Sequence, residues 1–161
     1  PLLTAIIVAG RSGSAYTAQI GTMKISEEID ALRTIGIGPQ ELLVQPKIIA
    51  LVIALPLLTV YADVAGVLGG MLMANSMLDI SYSVFLDRLE DALSLSSFLT
   101  GIIKAPVFAV IIALVGCYQG FQVSGSADSV GRQTTVSVVQ SIFLVIVADA
   151  LFSVIFNWLN L

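Results

Sequence analysis

The chain has 161 residues, 57% of them hydrophobic and only 11% charged, with a formal charge of −4 and no histidine. Soluble domains carry roughly a quarter charged residues, so this composition, with a mean hydropathy of +1.00, excludes an ordinary water-soluble domain and makes lipid the main solvent. Without histidine, and with a single Cys117 that can close neither an internal disulfide nor a zinc site, neither catalysis nor metal binding is expected of this chain.

Residues 1–10 are apolar and end at Arg11. They open without a methionine and read as the last part of a membrane helix whose start lies outside this sequence. Residues 12–23 are uncharged and rich in Gly, Ser, Ala and Thr. Ala9, Gly13, Thr17 and Gly21 step by four, and Gly10, Ser14 and Ala18 form a second row beside them. Small-residue rows let membrane helices approach closely. They serve either packing within the chain or a moving or dimerising interface.

A charged segment follows. Ser26 is the expected N-cap of a short helix, with Glu27 and Glu28 in its first turn, where the helix dipole favours acids. Ile25, Ile29, Leu32 and Ile35 share one face, and Glu27, Asp30, Arg33 and Thr34 occupy much of the rest. Gly36 is a natural stop, and Gly38-Pro39 restarts a short helix through Gln40, Glu41 and Leu42. Such a helix either floats on the headgroups or docks into a groove on a cytoplasmic partner.

From Ile48 to Leu78 the only charge is Asp63, giving one full span over about 48–75 with a kink expected at Pro56. Gly66 to Gly70, with Ala74, reads as a close-packing stretch. Residues 81–100 mix Phe85, Leu86, Leu89, Leu93 and Leu95 with Asp87, Arg88, Glu90 and Asp91, the pattern of an amphipathic helix on the outer surface. Two more spans are expected at about 105–122 and 138–159, the latter holding Asp149. The glycines of Gly125 to Thr135 loosely evoke a phosphate loop, but the GK[ST] ending and a preceding strand are missing, so no nucleotide site is expected.

A charge at mid-bilayer costs roughly 2.5–3.5 kcal/mol on insertion scales, so Asp63, Lys104 and Asp149 are expected to face a cavity or a partner charge. An Asp–Lys pair inside the bundle, a snorkelling Lys104 that meets a lipid phosphate, and a proton relay through Asp63 and Asp149 all fit the residues. Arg11, Lys24, Arg33 and Lys47 in segment 11–47, and Arg132 in loop 124–134, outweigh Arg88 and Lys104 on the other side. The positive-inside rule then puts 11–47 in the cytoplasm and the C-terminus outside. These basic residues form no stripe for nucleic acid. The fold class expected is an all-α integral membrane protein: one transmembrane domain over 1–161, with three full spans and the end of another.

Taken in order, Ala9-Gly10-Arg11-Ser12-Gly13-Ser14-Ala15, Gly21-Thr22-Met23, Glu28-Ile29-Asp30-Ala31-Leu32, Pro56-Leu57-Leu58-Thr59, Gly66 to Gly70, Gly101-Ile102-Ile103-Lys104, Gly116-Cys117-Tyr118-Gln119-Gly120 and Gly131-Arg132-Gln133-Thr134-Thr135 resemble the MlaE (YrbE-type) permease family, the membrane subunits of MCE-associated ABC transporters. Gln133 stands where that pattern has a small residue. The resemblance implies a bundle of five transmembrane helices that works as a homodimer in the bacterial inner membrane, of which this sequence holds the later part. It implies that Glu27, Glu28, Ile29, Asp30, Leu32, Arg33, Ile35 and Gly36 form the cytoplasmic coupling helix that docks on an ABC ATPase subunit, with a periplasmic C-terminus. ATP and Mg would sit on that partner, and no cofactor on this chain. It further implies phospholipid as substrate, a periplasmic MCE-domain partner, a role in outer-membrane lipid asymmetry and, in some members, a cytoplasmic STAS-domain partner. The rivals are an ion-coupled secondary transporter that uses Asp63 and Asp149, and a purely structural membrane scaffold.

Overall fold

A computed structural model describes residues 1–92 and 95–159. Among them there are helices and no strand. Helix α1 (Leu2–Val8) passes through a π turn (Ala9–Gly13) into α2 (Ser14–Ile25). Backbone angles stay helical at both junctions, so the apolar run does not end at Arg11. It continues as helix through the Gly/Ser/Thr segment.

The reason is packing. Helix α6 (Leu95–Phe121) lies at the centre, against α2, α4 (Gln45–Leu78) and α7 (Ala127–Trp158). Its Ala105, Phe108, Ala109, Ile112, Ala113, Gly116, Cys117 and Gly120 are buried. Ala5, Val8 and Ala9, Leu51 and Leu55, and Val145 close around them. In lipid no hydrophobic drive separates helix from solvent, so close backbone approach and hydrogen bonds hold the bundle together. A Cβ on Gly116 would lie 2.9 Å from the Gly13 carbonyl oxygen, and one on Gly120 would lie 2.6 Å from the Ile20 Cβ. The Thr17 hydroxyl reaches the Gly116 carbonyl at 2.8 Å, and Gln119 donates to Gln140 across α6 and α7 at 2.6 Å.

Among the described residues three helices are long and apolar enough to cross a membrane: Gln40–Leu78, Ser96–Phe121 and Ala127–Trp158. The first begins with a second π turn (Gln40–Val44) that runs into α4, so the short helix expected after Pro39 is the start of the span. At 1.5 Å per residue, α4 alone is about 51 Å long, well beyond the roughly 30 Å hydrocarbon core. Leu57, Tyr61, Leu72 and Met73 on α4, and Val139, Phe143 and Leu151 on α7, are all exposed, a surface that only lipid or a partner helix can solvate.

The other two spans begin earlier than expected. Helix α6 starts at Leu95, so residues 95–100 of the expected outer helix belong to it. The outer helix itself is α5 (Tyr82–Ala92), whose Phe85 and Leu89 are the half-buried positions. Leu93 and the Leu95 side chain lie outside the described residues. Helix α7 starts at Ala127 because Ser126 is its N-cap, accepting the Ser129 N–H at 3.2 Å. Gly131 to Thr135, expected in a loop, are therefore helical, with Arg132 exposed near that end. Among the described residues a Cβ on Gly70 would meet Phe85 at 3.8 Å, whereas one on Gly66 or Gly69 would face open space.

Candidate functional site

The charged segment folds as α3 (Glu28–Thr34). Ser26 is not its N-cap: Ser26 ends α2, with its hydroxyl on the Thr22 carbonyl (3.1 Å) and on the Glu28 carboxylate (2.8 Å). Glu27 holds the cap position in the left-handed region, φ 61°, a conformation that costs a non-glycine residue roughly 1–2 kcal/mol. The sharp corner it makes turns the chain out of the bundle. At the other end Gly36 takes φ 81°. Its N–H meets the Arg33 carbonyl at 3.1 Å, and the Ile37 N–H meets that of Leu32 at 3.0 Å. This is a Schellman stop, which requires the left-handed residue glycine supplies.

Only part of the expected apolar face is inward. Ile29 is buried and Leu32 half-buried, but Ile25 lies at the end of α2 and Ile35 is 69% exposed. Glu27, Glu28, Asp30 and Arg33 are exposed, the last two joined at 3.5 Å; such a surface pair contributes little. The helix is tied to the bundle at its base. Ile29 clusters with Ile20, Leu43 and Cys117, and Lys24 donates to the Phe121 carbonyl at 2.5 Å, a cation at the C-terminus of α6 where the dipole favours it. This contact also puts α3 and the loop after α6 at one end of the molecule. A cleft of about 590 Å³ opens there between α3 and the end of α6, lined by Asp30, Arg33, Glu41 and Tyr118 among others.

The small-residue rows divide. Ala9, Gly13, Thr17 and Gly21 are buried within the chain. Gly13 faces Ile112, and a Cβ on Gly21 would lie 2.7 Å from Val123. Gly10, Ser14 and Ala18 are half-buried, and among the described residues nothing outside its own helix backbone lies within 4 Å of a Cβ placed on Gly10. The partner surface on α6, Gly116 and Gly120, carries its own four-residue step. That spacing was legible in the sequence, but nothing there said which helix it met.

Lys104 on α6 and Asp149 on α7 form an ion pair at 3.2 Å, with side-chain exposures of 14% and 24%. The Lys104 ammonium also lies 5.4 Å from the Phe156 ring centre. Asp63 is exposed on α4 and borders a mostly apolar cavity of about 750 Å³ with Val67, Phe85, Leu89 and Phe98. No contact joins Asp63 to Asp149 among the described residues. Arg11, expected at the end of a helix, lies inside one. The uncharged run at 12–23 was the signal that the helix continues past it.

A family model, that of Permease MlaE, matches residues 1–155. The chain is 39% identical over 151 residues to a probable ABC transporter permease protein of Rickettsia typhi, covering 94% of this chain and 58% of that protein. It is 38% identical over 149 residues to another such protein of Synechocystis, covering 92% and 57%. It is 37% identical over 156 residues to the chloroplastic protein Trigalactosyldiacylglycerol 1 of Arabidopsis thaliana, covering 97% and 45%. The chain thus spans about half the length of these relatives. With its three membrane-crossing helices around a small-residue seam and this match over nearly its whole length, the chain is a multi-pass membrane protein that belongs to the MlaE permease family.

Proposed function

We propose that this chain is part of the permease subunit of an ABC transporter that moves phospholipid between the bacterial inner membrane and a periplasmic MCE-domain protein. The observation that carries the reading is α3, an exposed charged helix set outside the bundle by the Glu27 corner and the Gly36 stop, yet packed through Ile29 against Ile20 of α2 and Cys117 of α6, beside the Lys24 bond that ties α2 to the end of α6. A rigid lever of this kind suits a cytoplasmic ATPase subunit on which ATP and magnesium act. Closure of the ATPase pair pushes α3, and the α2–α6 seam carries the push into the membrane. Only contacts that differ between two states can transmit such work. The permease names of the relatives support the ATPase, and the galactolipid in the plant relative's name supports a lipid substrate.

The half-buried row of Gly10, Ser14 and Ala18 offers a homodimer contact. The basic residues at the α3 end orient it to the cytoplasm and the C-terminus to the periplasm. Maintenance of outer-membrane lipid asymmetry, and a STAS-domain partner in the cytoplasm, complete the proposal. The ion-coupled alternative is weaker, because Asp149 is held by Lys104 and makes no contact with Asp63.

The test is to purify the full-length permease from membranes in mild detergent and identify what accompanies it by mass spectrometry. An ATPase subunit, an MCE-domain protein and phospholipid are expected together; a lone permease would refute the proposal. In the reconstituted complex, Glu28→Lys with Asp30→Lys should lower lipid transfer about tenfold while ATP hydrolysis persists, a size within the usual range of coupling energies. Wild-type transfer per ATP would remove α3 from the coupling path.

A further inference from the structure

Arg11 sits in a costly place. About 21 Å of helix separates it from Ile25, at 1.5 Å per residue. Its neighbour Gly13 is apposed to Ile112 and Gly116, inside the length of α6 rather than at its end. Arg11 is exposed, and among the described residues its guanidinium has no hydrogen-bond or ion-pair partner. An intramembrane arginine persists where a cavity or an opposite charge receives it. Arg11 borders a cavity of about 390 Å³ between the first helix and α4. The polar groups around this cavity besides Arg11 are donors or neutral: Thr4, Ser12 and Tyr61. None of its lining residues carries a negative charge. The walls are otherwise apolar, and Ala62 lines both this cavity and the apolar 750 Å³ cavity bounded by Val67, Phe85, Leu89 and Phe98. The π turn at Ala9–Gly13 contains Arg11 itself, and π turns are frequent where a helix serves a site.

We propose that Arg11 binds the phosphate of a glycerophospholipid whose acyl chains lie in the adjoining apolar cavity. The guanidinium fork matches a phosphate bidentately. Thr4, Ser12 and Tyr61 hydroxyls supply further donors. The lipid phosphate provides the countercharge that the described residues withhold from Arg11. This rests on the reading of the chain as a phospholipid permease and names a contact for that substrate.

The test places a benzoylphenylalanine cross-linker at the apolar wall residue Leu58 (Leu58→benzoylphenylalanine) in the full permease complex. The complex is held without ATP in nanodiscs of phosphatidylethanolamine with a minor share of diacylglycerol of the same chains. A second cross-linker at the exposed Phe143 of α7 reports bulk lipid. At position 58 the phospholipid-to-diacylglycerol ratio should exceed that at position 143 about tenfold, the scale of a hydrogen bond to a charged group. Arg11→Gln should bring the two ratios together, and Arg11→Lys should restore part of the difference. Equal ratios in the unaltered protein, indifference to Arg11→Gln, or cross-linking to polypeptide in place of lipid would each overturn the proposal. Because no ATP is used, loss of this signal is separable from failure of the transport reading, which the co-purification decides.

Discussion

Gly120→Leu should prevent the bundle from assembling, and Gly116→Ala should destabilise it by about 2 kcal/mol, in the range for overpacking a tight core. At Gly120 the first carbon of any side chain would meet the Ile20 Cβ at 2.6 Å and its Cγ2 at 3.0 Å, with the Thr17 carbonyl at 3.2 Å. Ile20 is fully buried and β-branched, so these atoms cannot swing aside as the tip of a long chain could. At Gly116 the obstacle is backbone, the Gly13 carbonyl oxygen at 2.9 Å, and α2 must move as a unit to relieve it. That movement would also stretch the Thr17–Gly116 hydrogen bond. Gly131→Ala is the control. Nothing lies within 4 Å of its added carbon, and in helix it should stabilise by up to about 1 kcal/mol. Thermal unfolding of the detergent-solubilised protein checks all three. A Gly120→Leu variant as stable as the unaltered chain would mean that α2 and α6 are not closely packed.

The second large effect belongs to Lys104 and Asp149. Lys104→Met alone, or Asp149→Leu alone, should destabilise by about 3 kcal/mol, because each leaves one charge in a low-dielectric site without its partner. The estimate takes the low end of the usual range because Asp149 keeps 24% exposure. Combining the two substitutions should recover most of the loss, since two apolar side chains need no mutual compensation. A double-mutant cycle on unfolding in detergent measures this directly. If the double variant is as damaged as the sum of the singles, the pair contributes no coupling. If phospholipid binding also survives the double variant, Lys104 has no part in holding a lipid phosphate.

Helix ends separate what local chemistry determines from what it does not. Gly36 as a stop is a local matter: the Schellman geometry needs one left-handed residue, and glycine adopts it without penalty. Ser26 looked equally local as an N-cap. Yet α2 continues to Ile25, the Ser26 hydroxyl turns back to Thr22 and across to Glu28, and the less suitable Glu27 takes the corner. The starts of α6 and α7 were misplaced for a different reason. The apolar run marks where lipid begins, whereas the helices extend about ten residues beyond it, since hydrogen bonding continues after hydropathy falls.

The residue inventory by itself determined the class of the molecule. A chain with 11% charge, no histidine and three long apolar runs can only satisfy its backbone in lipid as helices, and the small-residue steps show that these helices approach closely. Tertiary structure alone decided the partners. It set the row of Ala9, Gly13, Thr17 and Gly21 against α6, left Gly10 open, joined Lys104 to Asp149 across 45 positions of sequence, and placed Arg11 beside a cavity inside the span. The physical reason is that a helix face is encoded by spacing within one segment, while its match depends on the rotation and depth of another segment. In a membrane, where every face is apolar, few local signals specify either.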